Sequence, residues 1–165
     1  MTDGASRAHL LGRVGVVEER IRLLVAERRA EDPQPDDPFR GLYLSEEAVD
    51  RLLGTVPGTP RPVVPSSRLE ACERAADRAQ EEGHRLRLRE LAAVLGLSVL
   101  DVDLLLVALA ADLDPRFEQL FGYLNDDVTR RRPSAAVALT LCGAALSDAG
   151  ARARLLSGPL VTGDL

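Results

Sequence analysis

LAAVLGLSVLDVDLLL, residues 91–106, decides how the chain folds. A helix, a turn at Gly96, a capping Ser98 and a second apolar helix follow in order, which is the rhythm of a helix-turn-helix. Asp101, three residues after Ser98, completes an N-terminal cap. The second helix, read as Val99 to Leu113, carries Leu100, Val102, Leu104, Leu105, Leu106, Val107 and Leu109 on nearly every side. A helix apolar all round belongs in the centre of a domain. In a DNA reader this helix would lie in the major groove. Here no basic residue stands between Arg89 and Arg116, and the helix holds Asp101, Asp103 and Asp112. Phosphate affinity comes mostly from Arg and Lys, so the segment is expected to be buried and structural.

Downstream, Asp114-Pro115 offers a cap and a first-turn proline for a helix whose face is Phe117, Leu120, Phe121 and Leu124. Ser134 opens another, with Val137, Leu141 and Cys142 inward, and Ser147 opens a last one through Leu156. The tail SGPLVTGDL, 157–165, reads as a turn and the start of a strand. Upstream, Ser67 with Glu70 is a capping-box signature for a helix facing inward through Leu69, Cys72, Ala76 and Ala79 and stopped by Gly83. HRLRLR, 84–89, alternates and reads as a short strand or extended entry, followed by a helix from Glu90 to Leu95.

Further upstream, GTVPGTPRPVVP, residues 54–65, has no hydrophobic period and reads as a linker. The expected division is an N-terminal helical appendage, 1–53, a linker, 54–66, and a helical domain, 67–165. In the appendage, Leu10, Val14, Val17, Ile21 and Leu24 draw one stripe along a helix from His9 to Ala30. After the prolines of DPQPDDP, 32–38, Ser45 caps a short second helix with Ala48, Val49, Leu52 and Leu53 on its apolar face. Phe39 and Tyr43 are two of only five aromatics, and with Arg40 they are candidate partner contacts. Arg130, Arg131 and Arg132 form the one local basic cluster and are a second candidate contact, weighed against a solvated loop facing Asp126 and Asp127.

The chain has 165 residues, 45% hydrophobic, and a formal net charge of -5. Such a balance disfavours nucleic acid and anionic lipid as partners. All 21 basic residues are Arg. Without a lysine the chain holds neither a complete Walker A loop nor a Schiff-base nucleophile. Cys72 and Cys142 lie far apart and outside any Cys/His cluster, so no metal site is expected. They read as small core thiols in a reducing cytosol. His9 and His84 read as solvated. No nucleophile–base set emerges, so no catalytic residue, cofactor or enzyme activity is expected. No apolar run is long enough to span a bilayer, and a cytoplasmic protein is expected.

Residues 88–142 resemble the winged-helix-like region that precedes the ATPase module in a group of bacterial AAA-family ATPases, some encoded with contractile injection systems. The most specific stretch is LDPRFEQLFGYLNDDVTRRRPS, 113–134; DPQPDDPFRGLYLSEEAVDRLL, 32–53, is similar to the N-terminal segment of actinobacterial members. The resemblance implies a mainly α multi-helix bundle with a variant winged-helix core and minimal β. It implies a non-catalytic domain that recruits a substrate, adaptor or subunit for an attached ATPase, with oligomerisation through that parent protein. No ATPase residue carries over, because nothing here matches the nucleotide motifs. The alternatives are a winged-helix DNA-binding transcription regulator and a small enzyme.

Overall fold

A computed structural model describes residues 3–30, 49–50, 53–54, 66–145 and 147–163. Among the described residues the fold is carried by α1 (Asp3–Ala30), α2 (Ser67–Glu81), α3 (Arg87–Val94), α4 (Val99–Leu113), α5 (Arg116–Leu124), α6 (Ala135–Leu141), α7 (Ala149–Ser157) and α8 (Pro159–Thr162), and residues 49–50 and 53–54 are helical as well. Among the described residues there is no strand, so the fold is the mainly α bundle expected.

α4 is the axis of the molecule. Val102, Leu104, Leu106, Val107, Ala110 and Ala111 are buried along it, and so are Asp101 and Asp103. Its first turn is fixed by a capping box: Ser98 Oγ accepts from Asp101 N, and the Asp101 carboxylate accepts from Ser98 N at 2.7 Å. Gly96 makes the preceding turn possible, because its φ of 61° is strained for any residue with a β-carbon. Ser98→Ala is expected to cost about 1 kcal/mol, seen as a lower urea midpoint with an unchanged slope.

α5 closes one end with Phe117, Phe121 and Leu124 buried and the two phenyl rings 6.1 Å apart. α6 adds Val137, Ala138, Leu139 and Leu141. α1 lies antiparallel to α2 and packs into the same core through Val14, Val17, Ile21 and Leu24. The two helices approach closely because α1 presents Gly12 to Cys72 and Gly15 to the Arg68 guanidinium; a β-carbon on Gly12 would meet Cys72 Sγ at 2.7 Å.

Several local expectations are corrected. α1 begins at Asp3, earlier than His9. Ser66, not Ser67, caps α2, accepting from Leu69 N at 3.1 Å. Residues 84–89 form no strand: Leu86 and Leu88 are buried, but with no strand to pair against, the chain turns helical at Arg87. Arg87 N donates to Ser6 Oγ on α1 instead. Asp148, not Ser147, caps α7. The expected tail strand is the short helix α8, because Pro159 takes its first position and Val161 and Thr162 N–H both reach Gly158 O. The expected 54–66 boundary lies outside the described residues except for Gly54 and Ser66.

Candidate functional site

The polar focus of the fold is a hub of charges where α1, α2, α3 and α4 meet. α1 carries His9, Arg13 and Arg20 toward its neighbours, beside its apolar stripe. Arg13 bridges two carboxylates: Nη1 donates to Glu73 Oε1 at 2.7 Å and Nη2 to Asp103 Oδ1 at 2.8 Å. Arg20 Nη1 donates to the other Asp103 oxygen at 2.8 Å. His9 Nε2 lies 3.3 Å from Glu73 Oε1, and Arg89 of α3 reaches Glu73 Oε2 at 2.5 Å. The Arg13, Arg20 and Asp103 side chains are each only 10–11% exposed, so this pairing sits in low dielectric. His9, expected in solvent, is 5% exposed. Its partner Glu73 lies 64 residues away, and no local pattern announces such a contact.

Burial would push the Glu73 carboxyl up, but hydrogen bonds from Arg89, Arg13 and His9 outweigh it and hold it at about 2. The folded value lies below the ordinary 4.5, so the stabilisation is present above pH 4.5 and is lost as pH falls toward 2. Glu73→Gln is expected to flatten that part of the stability–pH profile, measured by urea midpoints between pH 5 and pH 2.

His9, Cys72 and Glu73 bring three ligand-type atoms within 4.8 Å of one another, a grouping the sequence does not suggest. Their surroundings oppose a cation. Two guanidinium groups already occupy Glu73, and burial, then the Glu73 charge, pushes the Cys72 thiol up, away from the thiolate a metal needs. Cys142 is pushed further, to about 12, by burial and then by Asp103. Both cysteines are free thiols.

Of the sequence-proposed contacts, Phe39, Arg40 and Tyr43 lie outside the described residues. Arg130, Arg131 and Arg132 fall in the loop between α5 and α6, and each has an acidic partner. Arg132 grips Asp112 of α4 through both terminal nitrogens, at 2.7 and 2.5 Å; Arg131 pairs with Glu118 at 3.2 Å and Arg130 with Asp127 at 4.0 Å. The run thus makes exposed ion pairs with acids of its own chain. Beside it, Leu105, Ala108 and Leu109 of α4 with Asp112, Arg132 and Pro133 line an open groove of about 500 Å³.

The order of a helix-turn-helix is present as α3, the Gly96 turn and α4, but its second helix is built into the core. Asp101 is 1% exposed and Asp103 7%. Arg154 of α7 donates to Asp101 Oδ2 at 2.5 Å, bracing the N-terminus of α4 where a reading helix would meet bases. No helix among the described residues is long and apolar enough to cross a membrane. Among known families, the model described as winged helix domain, variant, matches residues 5–162. No curated protein and no solved structure matches the chain.

Proposed function

We propose a protein-docking role, on the premise that the chain belongs to the variant winged-helix domain family. Winged-helix scaffolds serve either DNA or protein recognition, and fold alone does not choose between them. The observation that carries the choice is the burial of α4: the helix that would enter a groove is the centre of the core, and its two inner acids are paired with Arg13, Arg20 and Arg154. The resemblance of residues 88–142 supplies the partner class, an attached or associated AAA-family ATPase module for which this domain recruits a substrate, adaptor or subunit. In this reading the domain has no catalytic residue, cofactor or metal of its own and works in the cytoplasm, with Phe39, Arg40 and Tyr43 as contact candidates.

The winged-helix DNA reader is the competing role, and a salt titration separates the two. Anisotropy of a labelled duplex is expected to stay flat with the full chain at about 20 mM salt, where phosphate contacts are strongest. Binding that weakens steeply as salt rises would overturn the docking role. A titration calorimetry arm adds an AAA-family ATPase module of the resembling group. Binding is expected there, and Phe39→Ala with Tyr43→Ala is expected to weaken it without loss of helicity.

A further inference from the structure

We infer that the end of the molecule where α3, α4, α7 and α8 meet is a docking surface for an acidic amphipathic helix of a partner protein. Val94 closes α3 and Val99 opens α4, on either side of the Gly96 turn, and they are 82% and 78% exposed. α8 lies against the same turn: a β-carbon on Gly163, the residue after α8, would meet Leu95 Cδ2 at 3.4 Å. Arg154 ties α7 to the first turn of α4 through Asp101. In α7 and α8, Leu155 and Leu160 pack on the core, while the residues that follow them, Leu156 and Val161, are 74% and 58% exposed. Single exposed aliphatic side chains are ordinary. Four of them on elements that meet at one end make an apolar patch, and such patches mark interaction sites.

The charges around these four side chains select the occupant. Arg152, one turn before Leu156 on α7, is exposed and makes no ion pair among the described residues. Arg154 is 40% exposed, whereas the Asp101 that it holds is 1% exposed and lies beneath the surface. Glu90, one turn before Val94 on α3, is matched by Arg85 at 2.7 Å. Asp148 is engaged at the far end of α7, where it accepts from Gly150 and Ala151 N. A chain of net charge -5 thus sets a basic rim beside an apolar patch. Phosphates would meet the arginines but leave the three valines and Leu156 without a partner. A second copy docked through the same end by a two-fold axis would bring these arginines against like charge. A helix with leucine-type anchors at i, i+3, i+4 and i+7 and carboxylates beside them satisfies both parts: its anchors cover the aliphatic side chains and its acids meet Arg152 and Arg154. Such a surface rests on the protein-docking role proposed above and gives the chemistry of the partner.

Two labelled helical peptides serve as probes. Both carry leucine at i, i+3, i+4 and i+7; one has glutamate at the flanking positions and the other lysine. Anisotropy with the full chain is expected to show the glutamate peptide binding with a Kd on the order of 10–100 μM, as suits a small transient interface, and the lysine peptide about tenfold more weakly or worse. Val94→Ser with Val161→Ser is expected to weaken the glutamate peptide about tenfold. The urea midpoint is expected to stay unchanged, because both side chains are exposed. Arg152→Glu is expected to narrow the gap between the two peptides, and Leu23→Ser, at an exposed leucine of α1, to change neither. No saturable binding of the glutamate peptide, equal binding of the two, or binding indifferent to Val94→Ser with Val161→Ser overturns this docking surface. A mass above 17.8 kDa that the same double variant returns to 17.8 kDa gives the patch to a second copy and overturns it too. The calorimetry with the ATPase module is read separately. A silent module with the glutamate peptide still bound ends the ATPase assignment and leaves the surface standing; a bound module with no peptide bound does the reverse.

Discussion

Asp103→Ala is expected to lower the unfolding free energy by about 3–5 kcal/mol, because it strands the Arg20 guanidinium in the interior and takes from Arg13 one of its two carboxylates. Arg13 and Arg20 converge on this one carboxylate from α1, each at 2.8 Å, with side chains 11% exposed. Arg13 keeps Glu73, but Arg20 has no other acidic partner among the hydrogen bonds of the described residues. A domain with 5–15 kcal/mol to spare does not absorb such a loss easily. Urea midpoints read the effect. The origin is separable: Arg20→Met placed on Asp103→Ala removes the stranded charge and is expected to return part of the lost stability, although each substitution alone destabilises. If the double variant is no better than Asp103→Ala, uncompensated charge is not the cause.

Phe121→Ala is expected to cost about 3–5 kcal/mol by a different route, the cavity left behind. Phe121 is fully buried and tilts against Phe117 at 6.1 Å, with Leu124 next to it on the same face of α5. In a chain with three Phe and no Trp, few large side chains are at hand to relax into the void. Phe121→Leu fills most of it and is expected to recover more than half of the loss. The two core variants differ in their salt response. Added salt screens the charge stranded by Asp103→Ala to some extent and leaves the Phe121→Ala cavity unchanged.

What the sequence made legible was local. The bounds of α4, the Ser98–Asp101 cap and the Phe117/Phe121/Leu124 face depend on neighbours within a turn or two, and those neighbours are adjacent in the sequence. The burial of α4 was also readable, because leucine on every side with acids and no bases leaves it few other places. The hub was not legible. His9, Arg13 and Arg20 look like the polar side of a surface helix, and only Glu73 and Asp103, 60 to 90 residues on, turn them inward. The arginine run shows the same limit: Asp126 and Asp127 stand beside it in sequence, but Arg132 is held by Asp112, 20 residues back on another helix. The tail misled for a conformational reason. Pro159 after Gly158 is as compatible with a first helical turn as with a strand entry, and local hydrogen bonding to Gly158 O favours the turn.

The Arg154–Asp101 pair has a mechanical consequence. α8 follows α7 through Gly158 alone, and α7 is fastened to the first turn of α4 by that guanidinium, with Leu155 and Leu160 resting on the core. Tension drawn on α8 therefore bears on the capped end of the most deeply set helix through that ion pair, alongside the packing of Ala151, Leu155 and Leu160 on the core. The carboxylate that caps α4 is thus also the one that anchors the C-terminal helices, so one side chain serves both the start of the central helix and the fastening of the last two.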